Sequence, residues 1–200
     1  MNKKYIYLIR HGQDDSSFRG GWSKLDLTEK GIIQSKKLAI YLKQHYKIEK
    51  IIASDLERAK HTANIINSTL DIDIEFTNRL REMNNGLLAG IKNDIAEEKF
   101  PGIYYNTLNI DERYPEGESP IEFYNRVTND FELILEENCN LNSIALITHS
   151  GVINIIYKYI NNQEWSNKIK PIKVSNASIY ILEIDENRRK FLGENICEFL

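Results

Sequence analysis

The chain has 200 residues, of which 42% are hydrophobic and 28% are charged, and its formal net charge is −3. This composition is typical of a globular protein with a sizeable core, and the negative charge argues against nucleic-acid binding, which depends on clustered cations. The two cysteines, Cys139 and Cys197, provide neither a disulfide framework nor a metal-binding pattern. The first apolar run is too short for a signal peptide, and no run approaches the ~18 residues of a membrane span. We therefore expect a cytoplasmic protein with no membrane partner.

Five apolar runs along the chain are typical of buried strands. They cover residues 5–9, 51–53, 72–76, 143–148 and 178–184. Residues 185–187 are expected to turn the last run into a short final strand near Phe191. Helical patterns separate most of these runs, which predicts an α/β fold, namely a three-layer α/β/α sandwich with a mostly parallel central sheet and helices on both faces. Because neither a linker nor a repeat interrupts the chain, residues 1–200 are predicted to form one domain.

Three segments carry the residue types that begin helices. Thr28 is expected to cap the first helix. Ser54 and Glu57 have the spacing of a capping box. An apolar stripe follows them, at Leu56, Ala59, Ala63, Ile66 and Leu70. Ser119 and Glu122 have the same capping-box spacing, with a proline at the first helical position, and they predict a third helix.

Residues 84–118 form the least regular region of the chain, with four glycines and two prolines. Long loops of this kind tend to be lids or binding elements, so we predict a small cover at about 84–118 with a short helix over 92–99. Its aromatic residues either line the cover or simply pack it on the sheet; they are Phe100, Tyr104, Tyr105 and Tyr114. Its cations are candidates to meet a second charge on a substrate; they are Lys92, Lys99 and Arg113.

Charged or reactive side chains follow four of the predicted strands. They are Arg10 and His11, Arg58, Glu82 and His149. If these strands are parallel, their carboxyl ends share one edge of the sheet, where α/β proteins bind ligands. Each residue alone has a simpler interpretation, as a solvated loop residue or as a buried histidine bonded to backbone, and it is the repetition that favours a site. His45 and His61 lie on helices with charged neighbours, and we assign them no functional role.

Arg58 is an unusual residue for its place in the chain. It falls in the first turn of a predicted helix, where the helix dipole favours anions and disfavours cations. Side chains lean towards the N-terminus of a helix, so the guanidinium points to the same place as the free N–H groups. This arrangement predicts an anion between them. The alternative is a surface salt bridge from Arg58 to Asp55 or Glu57.

Two histidines, two arginines and a carboxylate without a metal-ligand spacing indicate phosphoryl transfer through nitrogen. A neutral imidazole attacks phosphorus and forms a phosphohistidine. The arginines bind the phosphoryl oxygens and lower the pKa of the attacking histidine. A carboxylic acid protonates the leaving oxygen and later helps to activate water. The partner predicted from this chemistry is a small phosphorylated metabolite.

At these residues the sequence resembles the histidine phosphatase superfamily, also called the phosphoglycerate mutase-like family. The resemblance covers nearly the whole chain through motifs in the expected order. The motifs are Arg10-His11-Gly12, Leu27-Thr28-Glu29-Lys30-Gly31, Ser54-Asp55-Leu56-Glu57-Arg58-Ala59, Leu80-Arg81-Glu82, Gly117-Glu118-Ser119 and Thr148-His149-Ser150-Gly151. Each motif alone is a weak signal, and their joint occurrence is a strong one.

The resemblance implies a role for each matching residue. His11 would be the phosphorylated nucleophile, Glu82 the proton donor, and Arg10, Arg58 and His149 the groups that hold the phosphoryl group. Further candidate substrate-binding residues are Ser17, Arg19, Ser150 and Gly151. The resemblance implies no metal and no organic cofactor. Nothing in the sequence predicts an oligomeric state.

Two positions depart from the family pattern. The family usually places threonine or serine where this chain has Asp14, and asparagine where it has Ser17. Ser17 can donate to a phosphate only over a shorter reach. Asp14 adds a negative charge that should weaken anion binding, unless it pairs with a cation or points away.

These observations leave three interpretations of the function. Hydrolysis of a phosphomonoester is preferred, because the segment 91–118 is modest, whereas cofactor-dependent mutases carry a longer insertion with clustered arginines. Mutase-type phosphotransfer is the second candidate. A catalytically weakened phosphate-binding or regulatory module is the third, and it rests on Asp14 and Ser17.

Overall fold

The computed structural model describes residues 3–169, 171–186 and 188–200. In these ranges six strands form one sheet. The strands are β1 (Lys4–Arg10), β2 (Lys50–Ser54), β3 (Asp73–Thr77), β4 (Ser143–Thr148), β5 (Ile179–Ile184) and β6 (Arg189–Ile196). The α-helices are α1 (Glu29–His45), α2 (Glu57–Leu70), α3 (Asn93–Lys99), α4 (Pro120–Glu137) and α5 (Ser150–Ile160), with short 3₁₀ turns at Asn78–Leu80 and Gly86–Leu88. The element types predicted from the sequence are confirmed.

The strand order across the sheet is β3-β2-β4-β1-β5-β6. The first four strands in this order are parallel, whereas β5 is antiparallel to β1 and β6 is antiparallel to β5. The mostly parallel sheet is therefore confirmed, and the carboxyl ends of β1 to β4 share one edge. The predicted turn at 185–187 includes Asn187, which lies outside the described residues. The final strand is eight residues long, which is longer than the sequence suggested.

Helices cover both faces of the sheet. Alternate residues of β1 enter different cores, because side chains of a strand point to opposite faces. Ile6 and Leu8 pack in the core formed with α4 and α5, whereas Tyr7 and Ile9 pack in the core formed with α1 and α2. Every residue of β4 is buried, as expected for a central parallel strand with a layer on each side. The predicted three-layer α/β/α arrangement is confirmed.

One predicted capping box is wrong and the other is confirmed. Helix α2 begins at Glu57 after Leu56, and no side chain caps it. Ser54 is instead the last residue of β2, and its hydroxyl lies 2.9 Å from Nε2 of His149. The capping box of α4 is complete, since Ser119 accepts from the backbone of Glu122 and the Glu122 side chain accepts from the backbone of Ser119. Thr28 caps α1 as predicted.

The segment 84–118 lies against the core of α4 and α5. Leu88, Leu108 and Tyr114 are buried in that core, and Phe100 and Tyr105 pack on its margin. Part of the aromatic content of the segment therefore packs the segment on the fold, as one of the two interpretations expected. Within the described ranges, no helix is long and apolar enough to cross a membrane.

Candidate active site

The two central strands bring His11 and His149 together. Arg10 and Thr148 are paired residues at the ends of β1 and β4. The backbone N–H of His11 continues this pairing by donating to the carbonyl of Thr148 at 3.0 Å. The two imidazole rings consequently lie with their centroids 5.0 Å apart. Both histidines are buried, with 3% and 0% of their surfaces exposed.

The hydrogen bonds of His11 define which ring nitrogen is free. Its Nδ1 lies 2.7 Å from the carbonyl oxygen of Gly12. Because a carbonyl oxygen only accepts, Nδ1 carries the proton, and Nε2 presents a lone pair. This lone pair accepts a hydrogen bond from Nε of Arg58 at 3.2 Å. Residue 12 has no room for a side chain, because a Cβ atom there would overlap the carbonyl of Gly31.

Arg58 is held at the N-terminus of α2 with only 2% of its surface exposed. Its guanidinium donates to Oγ of Ser23 at 3.3 Å and to the carbonyl of Gly21 at 2.8 Å. The alternative salt bridge of Arg58 with Asp55 or Glu57 is wrong. Asp55 binds the guanidinium of Arg81 through both carboxylate oxygens, and Glu57 pairs with Lys60.

Asp14 is the carboxylate that meets Arg58. Its Oδ2 lies 3.4 Å from Nε of Arg58. A backbone bridge between Asp14 and Leu27 fixes the loop at this point. Asp14, which departs from the family pattern, therefore pairs with Arg58, which is one of the residues expected to bind phosphate.

The other two arginines retain unused donors. Nη1 of Arg10 donates to the carbonyl of Val174 at 2.6 Å, but its Nε is buried and has no partner among the described residues. Nε and Nη2 of Arg19 are likewise buried without a hydrogen-bond acceptor in this part of the chain. The guanidinium of Arg19 stacks on the ring of Tyr104 at 4.0 Å. Buried donors without acceptors are costly, and a bound anion would satisfy them.

The side chain of Glu82 is held at the N-terminal end of α5. Its carboxylate accepts from the backbone N–H of Gly151 at 3.0 Å and from that of Met83 at 3.0 Å. A Cβ atom at position 151 would overlap this carboxylate, so the glycine allows the close approach. The backbone carbonyl of Glu82 also accepts hydrogen bonds from Trp22 at 2.7 Å and Arg126 at 3.1 Å. Hydrogen bonds to its backbone carbonyl and to its carboxylate therefore both hold Glu82 in position.

Burial and nearby cations lower the pKa of both histidines well below 6.5. For His11, burial is the largest cause, followed by the charges of Arg58 and Arg10. For His149, burial again comes first and Arg58 second. Nε2 of His149 contacts Ser54, while its Nδ1 is buried and unpartnered among the described residues. Both imidazoles are therefore neutral near pH 7.

A cavity of about 650 Å³ opens above this cluster. Its lining includes predicted site residues and residues of the cover, namely Arg10, Arg19, Glu82, Ser150, Gly151, Tyr104, Tyr105 and Tyr114. His11, Arg58 and His149 are not lining residues, because they are buried behind it. Two lining residues are direct neighbours of this group: Arg10 precedes His11 in the chain, and the carbonyl of Gly21 accepts a hydrogen bond from Arg58.

The structure does not bring every candidate to the site. Ser17 is exposed, and its hydroxyl donates to the neighbouring Asp15 at 2.7 Å. Ser17 therefore lies outside the cavity lining, and its expected contact with a phosphate stays a prediction. Lys92 and Lys99 are exposed as well, and Arg113 forms an ion pair with Glu122 on the surface.

Sequence reasoning missed other residues of the site. Ser23, which contacts Arg58, carries no signal that distinguishes it from an ordinary serine. Ser54, which contacts His149, belongs to one of the family motifs, but its spacing from Glu57 indicates a helix cap instead. Asn154 and Lys158 line the cavity from α5. Their spacing from Gly151, three and seven residues, is that of one helical face, and this periodicity could have identified them.

Comparison with known proteins places the chain in a family. The model of the histidine phosphatase superfamily (branch 1) matches residues 6–196, and the chain belongs to this superfamily. A curated relative from Escherichia coli O1:K1, named "Probable phosphoglycerate mutase GpmB", is 38% identical over 127 residues. The match covers 61% of this chain and only 59% of that relative.

Two solved structures share the fold along nearly their whole length. Bacillus stearothermophilus YhfR has a TM-score of 0.86 at 22% identity, covering 98% of each chain. The alpha-ribazole phosphatase from Shigella flexneri has a TM-score of 0.82 at 22% identity, covering 96% of each chain. At this identity the likeness shows the fold alone.

Proposed function

We propose that this protein hydrolyses a small phosphomonoester through a phosphohistidine on His11. The observation that carries the proposal is the state of that imidazole. Its proton is held on Nδ1, and Nε2 is a lone pair in a buried site with two arginines beside it. A neutral nitrogen nucleophile facing cations is suited to attack a phosphate dianion, whose charge the cations offset.

The first half-reaction uses all five predicted catalytic residues. Arg10, Arg58 and His149 bind the phosphoryl oxygens of the substrate. The Nε donor of Arg58 moves from Nε2 of His11 to a phosphoryl oxygen, which frees the lone pair. Nε2 then forms a bond to phosphorus as the phosphorus–oxygen bond to the alcohol breaks. Glu82, as the carboxylic acid, gives its proton to the departing oxygen.

The second half-reaction restores the enzyme. A water molecule enters the place of the alcohol, and the Glu82 carboxylate takes its proton. The hydroxide attacks phosphorus, the bond to Nε2 breaks, and inorganic phosphate leaves. Ser54 assists His149 in both steps, because a hydroxyl that donates to Nε2 leaves the Nδ1 proton free for a phosphoryl oxygen.

The cover favours hydrolysis over phosphotransfer to a second substrate position. A mutase must exclude water while the intermediate turns over. The segment 91–118 is modest in length, and its cations Lys92, Lys99 and Arg113 lie outside the cavity lining. The relative named as a phosphoglycerate mutase keeps mutase-type transfer as the second candidate function. Against a mere phosphate-binding module, the nucleophile, the cations and the acid are all present together.

A substrate panel tests the proposal. Purified protein and its His11→Ala variant are assayed on a series of phosphomonoesters and on phosphoglycerate isomerisation, with a chelator present. We expect hydrolysis that resists the chelator and is abolished in His11→Ala. Isomerisation that exceeds hydrolysis would favour the mutase. Absence of turnover on every ester would favour the binding module.

A further inference from the structure

One face of α5 forms a side of the cavity that leads away from the proposed reaction centre. Gly151, Asn154, Ile155 and Lys158 recur at the three- and four-residue spacing of one helical face, and all four are lining residues. Gly151 is at the reaction centre, where its N–H binds Glu82. Lys158 lies seven residues further on, about 10 Å along the helix axis. The cavity therefore extends beyond the space that a phosphoryl group needs.

Lys158 is a largely buried residue, and its ammonium group has no counterion in the described part of the chain. Only 7% of its surface is exposed. No described carboxylate lies within 4.0 Å of its ammonium group, and no described acceptor forms a hydrogen bond with it. The ammonium nitrogen is not among the buried unpartnered atoms of the described residues, so the apolar stem is buried while the charged end retains contact with the cavity. By contrast, Lys3, Lys50 and Lys190 each pair with a carboxylate.

Asn167 adds a fixed acceptor to the lining of the same cavity. Its Nδ2 donates to the carbonyls of Tyr105 and Leu108 at 2.7 and 2.8 Å, which sets the orientation of the amide. Its Oδ1 is buried and has no hydrogen-bond partner among the described residues. The lining of the cavity thus contains one unused cation and one unused acceptor, both more than nine-tenths buried.

We propose, building on the proposed function, that Lys158 is a specificity-determining residue that binds a second anionic group of the substrate. This group is a carboxylate or a second phosphate, and Asn167 accepts a hydrogen bond from a hydroxyl of the same ligand. Lysine side chains on a helix lean towards its N-terminus, so the ammonium extends towards the reaction centre. The substrate class is therefore a compact phosphoester whose far end is anionic.

Matched substrate pairs test this subsite in the wild-type protein. 3-Phosphoglycerate and glycerol 3-phosphate differ in a carboxylate, whereas fructose 1,6-bisphosphate and fructose 6-phosphate differ in a second phosphate. We expect kcat/KM to be about 10-fold or more higher for the member of one pair that has the second anionic group. This is the effect expected from one charge-assisted hydrogen bond. The pair that shows the preference identifies the anion. Equal kcat/KM within both pairs overturns the proposal, whatever the variants do.

Substitutions then assign the preference to Lys158. Lys158→Met keeps the apolar stem and removes the charge. It should raise KM about 10-fold or more for the preferred ester with a second anionic group, while KM for the ester that lacks this group stays unchanged. Lys158→Arg should keep the preference. Lys99→Met, on the exposed side of the cover, is the matched control and should behave as the wild type. An equal loss on both members of the pair, or a loss in Lys99→Met alone, overturns the assignment.

Binding without turnover separates this proposal from the proposed function. If the protein hydrolyses none of these esters, calorimetry can still compare 3-phosphoglycerate with glycerol 3-phosphate. Tighter binding of 3-phosphoglycerate that is lost in Lys158→Met supports the subsite although the hydrolase has failed. Normal hydrolysis with no such preference leaves the hydrolase standing and removes the subsite.

Discussion

The proton on Nδ1 of His11 determines what the other nitrogen of the ring can do. The Gly12 carbonyl fixes this proton, and residue 12 has no room for a side chain. Burial and the charges of Arg58 and Arg10 keep the ring neutral by lowering its pKa. A single backbone oxygen and two cations thus prepare the proposed nucleophile before any substrate binds.

Neutral buried histidines make stability depend on pH. The pKa of His149 lies well below its ordinary value of 6.5, so below pH 6.5 the unfolded state binds a proton that the folded state does not. Stability is therefore complete above pH 6.5 and falls with pH below it, by up to about 1.4 kcal/mol per pH unit and group. We expect His149→Asn to flatten this slope in urea unfolding between about pH 7 and about pH 5. The exposed His45→Asn should retain the wild-type slope; a slope unchanged in His149→Asn would contradict the assignment.

If Arg58 binds phosphate as proposed, Asp14 competes with that phosphate. Its carboxylate lies 3.4 Å from Nε of Arg58, so removing its charge should strengthen anion binding. We expect Asp14→Asn to lower the inhibition constant of inorganic phosphate about 5-fold, the scale of a partly exposed ion pair. Asp15→Asn is the matched control, because Asp15 is exposed and contacts Ser17 rather than Arg58. Weaker phosphate inhibition in Asp14→Asn would show that the carboxylate supports the site instead.

At the scale of elements, two similar sequence patterns have different roles. Ser119 and Glu122 complete a capping box at the start of α4. Ser54 and Glu57 have the same spacing, but the chain remains extended through Ser54, and α2 begins without a side-chain cap. The Ser54 hydroxyl instead forms a hydrogen bond with the ring of His149, a residue that is distant in the sequence. A local pattern cannot reveal such a partner, because strand pairing places it there.

Substituting the two serines separates these roles. Ser119→Ala should destabilise the protein by about 1 kcal/mol through loss of the cap, with little change in kcat. Ser54→Ala should destabilise it by about 1–2 kcal/mol and also lower kcat, because His149 loses the hydroxyl that orients its ring. Chemical denaturation and steady-state assays measure both quantities. A normal kcat in Ser54→Ala would remove this serine from the proposed mechanism.

Most elements could be predicted from the sequence because their signals are local. The run 143–148 predicts β4 to the residue, since a short continuous apolar run is typical of a strand that is buried on both faces. The antiparallel pairing of β6 with β5 follows from the short link between them, which allows a hairpin but not a parallel crossover. The antiparallel pairing of β5 with β1 has no comparable local signal.

At the scale of the whole molecule, the site is a consequence of topology. Parallel pairing of β1, β2, β3 and β4 places their carboxyl ends at one edge. For this reason the cluster of Arg10, His11, Arg58, Glu82 and His149 could be predicted from strand ends alone. At the far end of the cavity, Lys158 could have been identified from its helical spacing to Gly151, whereas Asn167 could not, because it belongs to a loop whose place depends on packing. The local bond of Ser17 to Asp15, which leaves Ser17 outside the cavity lining, could not be predicted from its position either.

Direct detection of the covalent intermediate is the measurement that tests the central claim. Wild-type protein is mixed with the best ester of the panel, quenched in alkali within milliseconds, and mapped by peptide mass spectrometry, with His11→Ala and His61→Ala as matched controls. We expect an acid-labile phosphate on His11 in the wild type and in His61→Ala, and none in His11→Ala. Hydrolysis at the normal rate without this adduct, or with phosphate on another residue, would contradict the phosphohistidine route.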